Sequence, residues 1–280
     1  MRIKLIQDII DILRCKKTIM PKKINLKVPE ECKENIFKLE NGGILAFNYE
    51  IFNDIVNYNK SADVSLFYNK LDTWSLKDCF EERFNKQMSF LKDKFIPLVE
   101  ANDTICDVGC ASGEFTFEMA KYCREIDGYE MSQKMVDWAN NYAKENNVLN
   151  AKFYQGMCES IDYQKQYDKM ALMGVLTYVF EDSKAETAIK NIYNALKPGG
   201  YLIYKDNTNE TENNFYFFGP SLDYKMIARS KKNILELFKK TGFEVVNEDI
   251  FHRLKFKNMT SNENEPVELI SLGLILQKTI

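Results

Sequence analysis

From Thr104 to Ser132 the chain reads TICDVGCASGEFTFEMAKYCREIDGYEMS. Thr104 to Val108 is a short apolar run that can lie buried in a parallel sheet. Gly109 and Gly113 then flank three small residues, Cys110, Ala111 and Ser112. Small residues at such a turn let backbone N–H groups approach a ligand closely. Glu114 to Arg124 carries Phe115, Met119 and Tyr122 at helical spacing. Ile126 to Met131 reads as a second strand, and Glu130 near its end is placed to accept hydrogen bonds from two ribose hydroxyls. Strand, glycine turn, helix, strand and acid together predict an α/β sheet with a nucleoside-bearing cofactor over its strand ends.

The turn has the form D-x-G-x-x-x-G, with Asp107 ahead of Gly109. A dinucleotide site uses G-x-G-x-x-G, which sets a pyrophosphate on the helix N-terminus. Here the middle glycine is missing, and Asp107 puts negative charge where a pyrophosphate would be repelled. An NAD-dependent oxidoreductase is therefore disfavoured. An acidic lip suits a cation, such as a sulfonium with an amino acid tail.

DVGCASGEF resembles the first motif of the class I S-adenosylmethionine (SAM) methyltransferases, commonly D-x-G-x-G-x-G. GYEMS resembles their second motif, and LKPGGYLIYKD at Leu196 to Asp206 resembles the turn and strand that follow. The likeness spans roughly Phe95 to Asp206. It implies a Rossmann-like, doubly wound, mostly parallel sheet whose last strand is antiparallel. It also implies SAM as cofactor and S-adenosylhomocysteine (SAH) as product. Asp107, Gly109, Cys110, Ala111, Gly113, Glu130 and Met131 would then bind the cofactor, with Met157, Cys158 and Met173 completing the slot. Two departures stand out. Ala111 replaces the usual middle glycine, and in YQGMCESI the position after the glycine is Met157 rather than Asp. Adenine recognition then falls to backbone groups near Cys158, or to Glu159. The fourth strand ends in Met173-Gly174-Val175-Leu176, as in the small-molecule branch, without an N-P-P-Y-type motif.

A chain of 280 residues with 45% hydrophobic content can bury a substantial core. Its net charge of −3 gives no basic face for nucleic acid. The seven cysteines include no C-x-x-C pair, which points to free thiols and a reducing, cytoplasmic setting. No apolar run approaches a membrane span. MRIKLIQDIIDILRCKK alternates charged and apolar residues, so it reads as an amphipathic helix. A monomer or a homodimer is expected.

Two parts follow. Residues 1–94 are expected to form an N-terminal helical cap on the acceptor side. Ile3, Ile6, Ile10 and Leu13 make a helical stripe, Asn41-Gly42-Gly43 a turn, and Ile44–Tyr58 and Ser75–Phe95 mostly helices. Tyr68, Trp74, Arg83 and Gln87 are candidates to face the ligand from this cap. Residues 95–280 are expected to form the SAM-binding domain. Ala151–Gln155, Tyr167–Val175 and Tyr201–Tyr204 read as further strands, and Ser132 as an N-cap. Residues 206–230 form a lid-like insertion whose Phe215, Tyr216, Phe217 and Phe218 suggest a lid, a pocket wall or a packed strand. Ser230–Thr241 reads as a helix capped by Gly242, and Phe243–His252 and Leu269–Lys278 as a closing strand pair.

Methyl transfer from a sulfonium is an in-line displacement in which positioning contributes most. A hydroxyl acceptor also needs a base for its proton. The candidates are His252, the single histidine, with Asp206 and Tyr178. Lys205, Asn207, Arg229, Tyr68 and Tyr216 are candidates to hold the acceptor. One histidine and no compact acidic motif give no expectation of a metal. The sequence thus predicts SAM-dependent methyl transfer to a small polar metabolite, most naturally a hydroxyl of a sugar or nucleotide sugar. N-methylation of a small amine and a non-catalytic SAM-fold partner remain open.

Overall fold

The computed structural model describes residues 36–38, 44–46, 49–58, 81–163, 165–218, 225–258 and 267–279. The strands, in chain order, are β1 (Ile36–Lys38), β2 (Ile44–Ala46), β3 (Thr104–Val108), β4 (Glu125–Glu130), β5 (Ala151–Gln155) and β6 (Tyr167–Met173). They continue as β7 (Leu196–Asn209), β8 (Phe215–Phe218), β9 (Lys225–Ser230), β10 (Phe243–Asn258) and β11 (Val267–Lys278). The α-helices are α1 (Tyr49–Tyr58), α2 (Glu81–Phe90), α3 (Glu114–Met119), α4 (Gln133–Glu145), α5 (Asp182–Ala195) and α6 (Lys231–Thr241).

The central sheet runs β5-β4-β3-β6-β7-β11-β10. Its first five strands are parallel, and β11 is antiparallel to both β7 and β10. Every residue of β3 is buried, as a strand covered on both faces requires. Alternation sends Ile105 to one core and Cys106 and Val108 to the other. Against the Cys106 face pack α5, through Ala185, Ala188, Ile189 and Ile192, and α6, through Ile234 and Phe238. Against the Ile105 face pack Phe90 at the end of α2, Leu91 and Phe95 in the π-helical turn after it, and Val136, Ala139 and Ala143 of α4. Each set lies on one stripe of its helix, which drives the three-layer arrangement. The chain leaves β3 toward β4 on one side, while β6 adjoins β3 on the other. A crevice opens over the carboxyl ends at such a reversal.

Three strands outgrow this sheet. The ends of β7, β11 and β10 continue into a ring completed by β1, β2, β8 and β9. Antiparallel pairs join β10 to β1, β1 to β2, β2 to β8 and β8 to β9, and a short parallel contact returns β9 to β7. Phe215, Phe217, Met226, Ala228 and Leu269 form the core of this ring, with Tyr178 and Leu254 packed on it.

Several expectations need correction here. Part of the N-terminal region is strand: β1 and β2 pair antiparallel, and the helix expected from Ile44 begins at Tyr49, while the turn expected at 41–43 lies outside the described residues. The aromatic run at Phe215 is a sheet strand with two buried rings, because β8 has partners on both sides. Ser132 makes no side-chain cap on α4. Its N–H instead donates to Glu130 Oε1 at 3.0 Å. The Ile3–Leu13 stripe, Tyr68 and Trp74 lie outside the described residues.

Candidate active site

The turn after β3 is tied to β4, because the N–H groups of Gly109 and Cys110 both donate to the Tyr129 carbonyl, at 2.7 and 3.0 Å. Gly109 has φ +75°, and a Cβ there would fall 2.3 Å from Val175 Cγ2. Ala111 also takes a left-handed conformation, φ 49°. That costs an L-residue roughly 1–2 kcal/mol. Glu130 offsets the cost by holding the strained residue: its Oε2 accepts from the Ala111 N–H at 3.1 Å while its Oε1 takes Ser132. Gly113, at φ +86°, starts α3 and packs against Phe117 and Phe153 rather than lining the cavity.

Asp107 is almost wholly buried, and its Oδ2 accepts from the Thr116 hydroxyl at 2.6 Å. Burial pushes its carboxyl up to about 6; the Thr116 bond opposes the shift and the nearby Glu130 adds to it. Burial raises Glu130 as well, against the backbone donors of Ser132, Ala111 and Met131, which favour its charge. Two acids that form no ion pair among the described residues thus sit beside one turn. An incoming positive charge is what they lack.

A cavity of about 400 Å³ opens over these strand ends. Asp107, Gly109, Cys110, Ala111, Glu130 and Met131 line one end of it, and Met157, Cys158 and Glu159 extend that wall beyond β5. Nine of the ten expected cofactor contacts, Met173 included, therefore line a single cavity. Gly113 is the exception.

The far end lies over β7. Strand parity places Lys205 and Asn207 with Ile203 on the face covered by α2, and both line the cavity. Arg83 and Gln87 of α2 line it too, as do Tyr178 and Met226. Asp206 faces the other way. Its Oδ2 accepts from the Thr177 N–H and its Oδ1 from the Asn207 N–H, each at 3.0 Å, and burial pushes it up to about 6. Arg229 is buried with it. Its guanidinium donates to the Leu176 and Val179 carbonyls at 2.8 and 2.6 Å and to Asp182 Oδ1 at 2.9 Å. Asp206 and Arg229 thus clamp the turn that carries Tyr178 into the cavity, and neither lines it.

His252 pairs in register with Ser271, which pairs with Asn207, so it lies two strands from the cavity wall. Burial, then Arg83 and Lys86, lowers its pKa and keeps the ring neutral near pH 7. Tyr216 stacks on Phe180, with ring centroids 6.2 Å apart, and Phe180 rather than Tyr216 reaches the cavity. Glu114, Phe180 and Met226 are lining residues that the sequence reading missed. Only Glu114, next after the glycine turn, carried a local signal. Among the described residues no group of three or more His, Cys, Asp or Glu side chains is gathered for a metal. Among them, too, no helix is long and apolar enough to cross a membrane.

An adenosyl group with a cationic sulfur fits this end of the cavity. Glu130 presents a carboxylate at the tip of β4, the turn backbone lies close by, and buried Asp107 has no ion-pair partner among the described residues. A family model described as "Methyltransferase domain" matches residues 99–263. Nodulation protein S of Sinorhizobium fredii is 25% identical over 134 residues, 48% of this chain and 59% of that protein. The chain therefore spans less than two thirds of that relative's length. A demethylmenaquinone methyltransferase of Lactococcus lactis is 24% identical over 223 residues, covering 70% of this chain and 82% of that one. Among solved structures, the N-methyltransferase NodS from Bradyrhizobium japonicum in complex with SAH superposes with a TM-score of 0.53 at 16% identity. The superposition covers 79% of this chain and 98% of that one, and it is a likeness of fold alone.

Proposed function

The chain belongs to the methyltransferase-domain family of SAM-dependent class I enzymes, and we propose that it methylates a hydroxyl of a small polar metabolite. The observation that carries this reading is the division of the cavity: buried acids without an ion pair among the described residues at one end, N–H and ammonium donors at the other. When bound, SAM supplies an electrophilic methyl group on a positively charged sulfur. Glu130 would accept the ribose hydroxyls, Met157, Cys158 and Glu159 would border the adenine, and Asp107 would offset the positive charge. Tyr178, Lys205 and Asn207 would orient the acceptor oxygen for in-line attack, with Asp206 and Arg229 fixing the turn that bears Tyr178. Donors outnumber carboxylates among the side chains over β7, which suits an oxygen-rich acceptor such as a sugar or nucleotide sugar better than a cationic amine.

Incubation with methyl-labelled SAM and a panel of sugars, nucleotide sugars, phenols and small amines tests the proposal. Label on oxygen is expected. Label on amines alone would overturn it.

A further inference from the structure

The acceptor end of the cavity holds a buried cation without a counter-ion. Lys205 is 5% exposed, and among the described residues no carboxylate forms an ion pair with its ammonium. Asp206, its chain neighbour, points to the opposite face and spends both oxygens on backbone N–H groups. Burial and the charge of Arg83 hold Lys205 down to about 8, so part of it is a neutral amine near physiological pH.

Gln87 faces the same space. It is 2% exposed, lines the cavity, and its buried Nε2 has no hydrogen-bond partner among the described residues. A buried donor left unpaired costs stability, and a protein without a use for it would be expected to lose it. The backbone places both groups on one wall of the cavity. Lys205 pairs in register with Gly273, and a Cβ at Gly273 would lie 3.0 Å from Cε1 of Phe90, three residues on from Gln87. The end of α2 therefore rests on the strands at Lys205. The other charged or titratable groups in this wall are Arg83, one turn before Gln87, Glu114 at the start of α3, and Tyr178, and His252 on β10 lies close enough to feel the Lys205 charge.

We propose that Lys205 and Gln87 form an oxyanion site, in which Lys205 is the base for the acceptor hydroxyl and Gln87 helps hold the oxygen that results. The acceptor's O–H bond breaks and a new N–H bond forms on Nζ. The electron pair stays on the acceptor oxygen, which then carries the negative charge into its attack on the methyl group. The ammonium returns its proton to solvent once the product ether has formed. Among the hydroxyls of one acceptor, the site favours the most acidic. The assignment rests on the methyltransferase reading for the cofactor.

The test uses 4-nitrophenol, whose phenolate is yellow, with the SAH-loaded protein. Bound 4-nitrophenol should ionise at a pH lower by about one unit, a tenfold shift. Lys205→Met should abolish the shift and Gln87→Leu should reduce it, while both variants keep wild-type affinity for SAH by calorimetry. If 4-nitrophenol fails to bind, ionises as in free solution, or shifts equally in Lys205→Met, the oxyanion site is wrong while the cofactor reading stands. If wild-type protein fails to bind SAH, the methyltransferase reading itself falls, and this proposal with it.

Discussion

At the scale of single residues, the site is built from buried charges that have no ion-pair partner among the described residues. Asp107, raised to about 6, keeps its proton to a higher pH than it would in the unfolded chain. Its contribution to stability is therefore full below about pH 4 and lost as pH rises through 6. Binding of a cation reverses the preference. SAM affinity should fall as pH drops through 6, and calorimetry showing equal affinity at pH 5 and pH 7.5 would contradict that. Lys205 runs the other way. Its folded value of about 8 lies below the ordinary 10.5, so its ammonium costs stability below pH 8 and the cost fades between pH 8 and 10.5. Lys205→Met should stabilise the protein at pH 7 by on the order of 2–3 kcal/mol, with the advantage vanishing toward pH 10.5. Thermal melts across that range check it. Asp107 and Glu130 were legible in the sequence because their motif is local. Lys205, Asp206 and Asn207 read there as one polar cluster. Strand alternation separates them, sending Asp206 to the opposite face, where it holds Thr177.

At the scale of elements, the turn after β3 and the end of β6 fit against each other with no room to spare. Gly109→Ala would set a left-handed alanine against Val175. We expect a loss of about 2–4 kcal/mol, strain and overpacking together, with SAM binding impaired as well. Val175→Ala on that background should recover part of the stability but not the φ strain; no recovery in chemical denaturation would mean the collision is not the cause. The sequence placed β3 and β5 at their observed bounds and marked α6 with its closing Gly242. It stopped β7 at Tyr204 and β10 at His252. Both strands run on because partners beyond the central sheet pair with their ends, and no property of those residues alone announces a distant partner.

At the scale of the molecule, an open sheet and a closed ring share β7, β10 and β11, and the acceptor end of the cavity lies where they join. Tyr178 and Met226 belong to both the ring's core and the cavity wall. Closure leaves β8 and β10 without free edges along their paired segments. Removing residues 1–48 should open the ring. Amides of β8 should then lose protection in hydrogen exchange while β3 and β4 keep theirs, and unchanged protection of β8 would show that β1 and β2 are dispensable to it.

The central claim is that the turn after β3, with Glu130 at the tip of β4, holds an adenosyl cofactor rather than a dinucleotide. Calorimetric titration of the purified chain with SAH and with NAD tests it most directly. The expected result is one SAH per chain, no heat with NAD, and SAH binding weakened by about 1–3 kcal/mol in Glu130→Ala. Binding of NAD in place of SAH, or wild-type SAH affinity in Glu130→Ala, would contradict it.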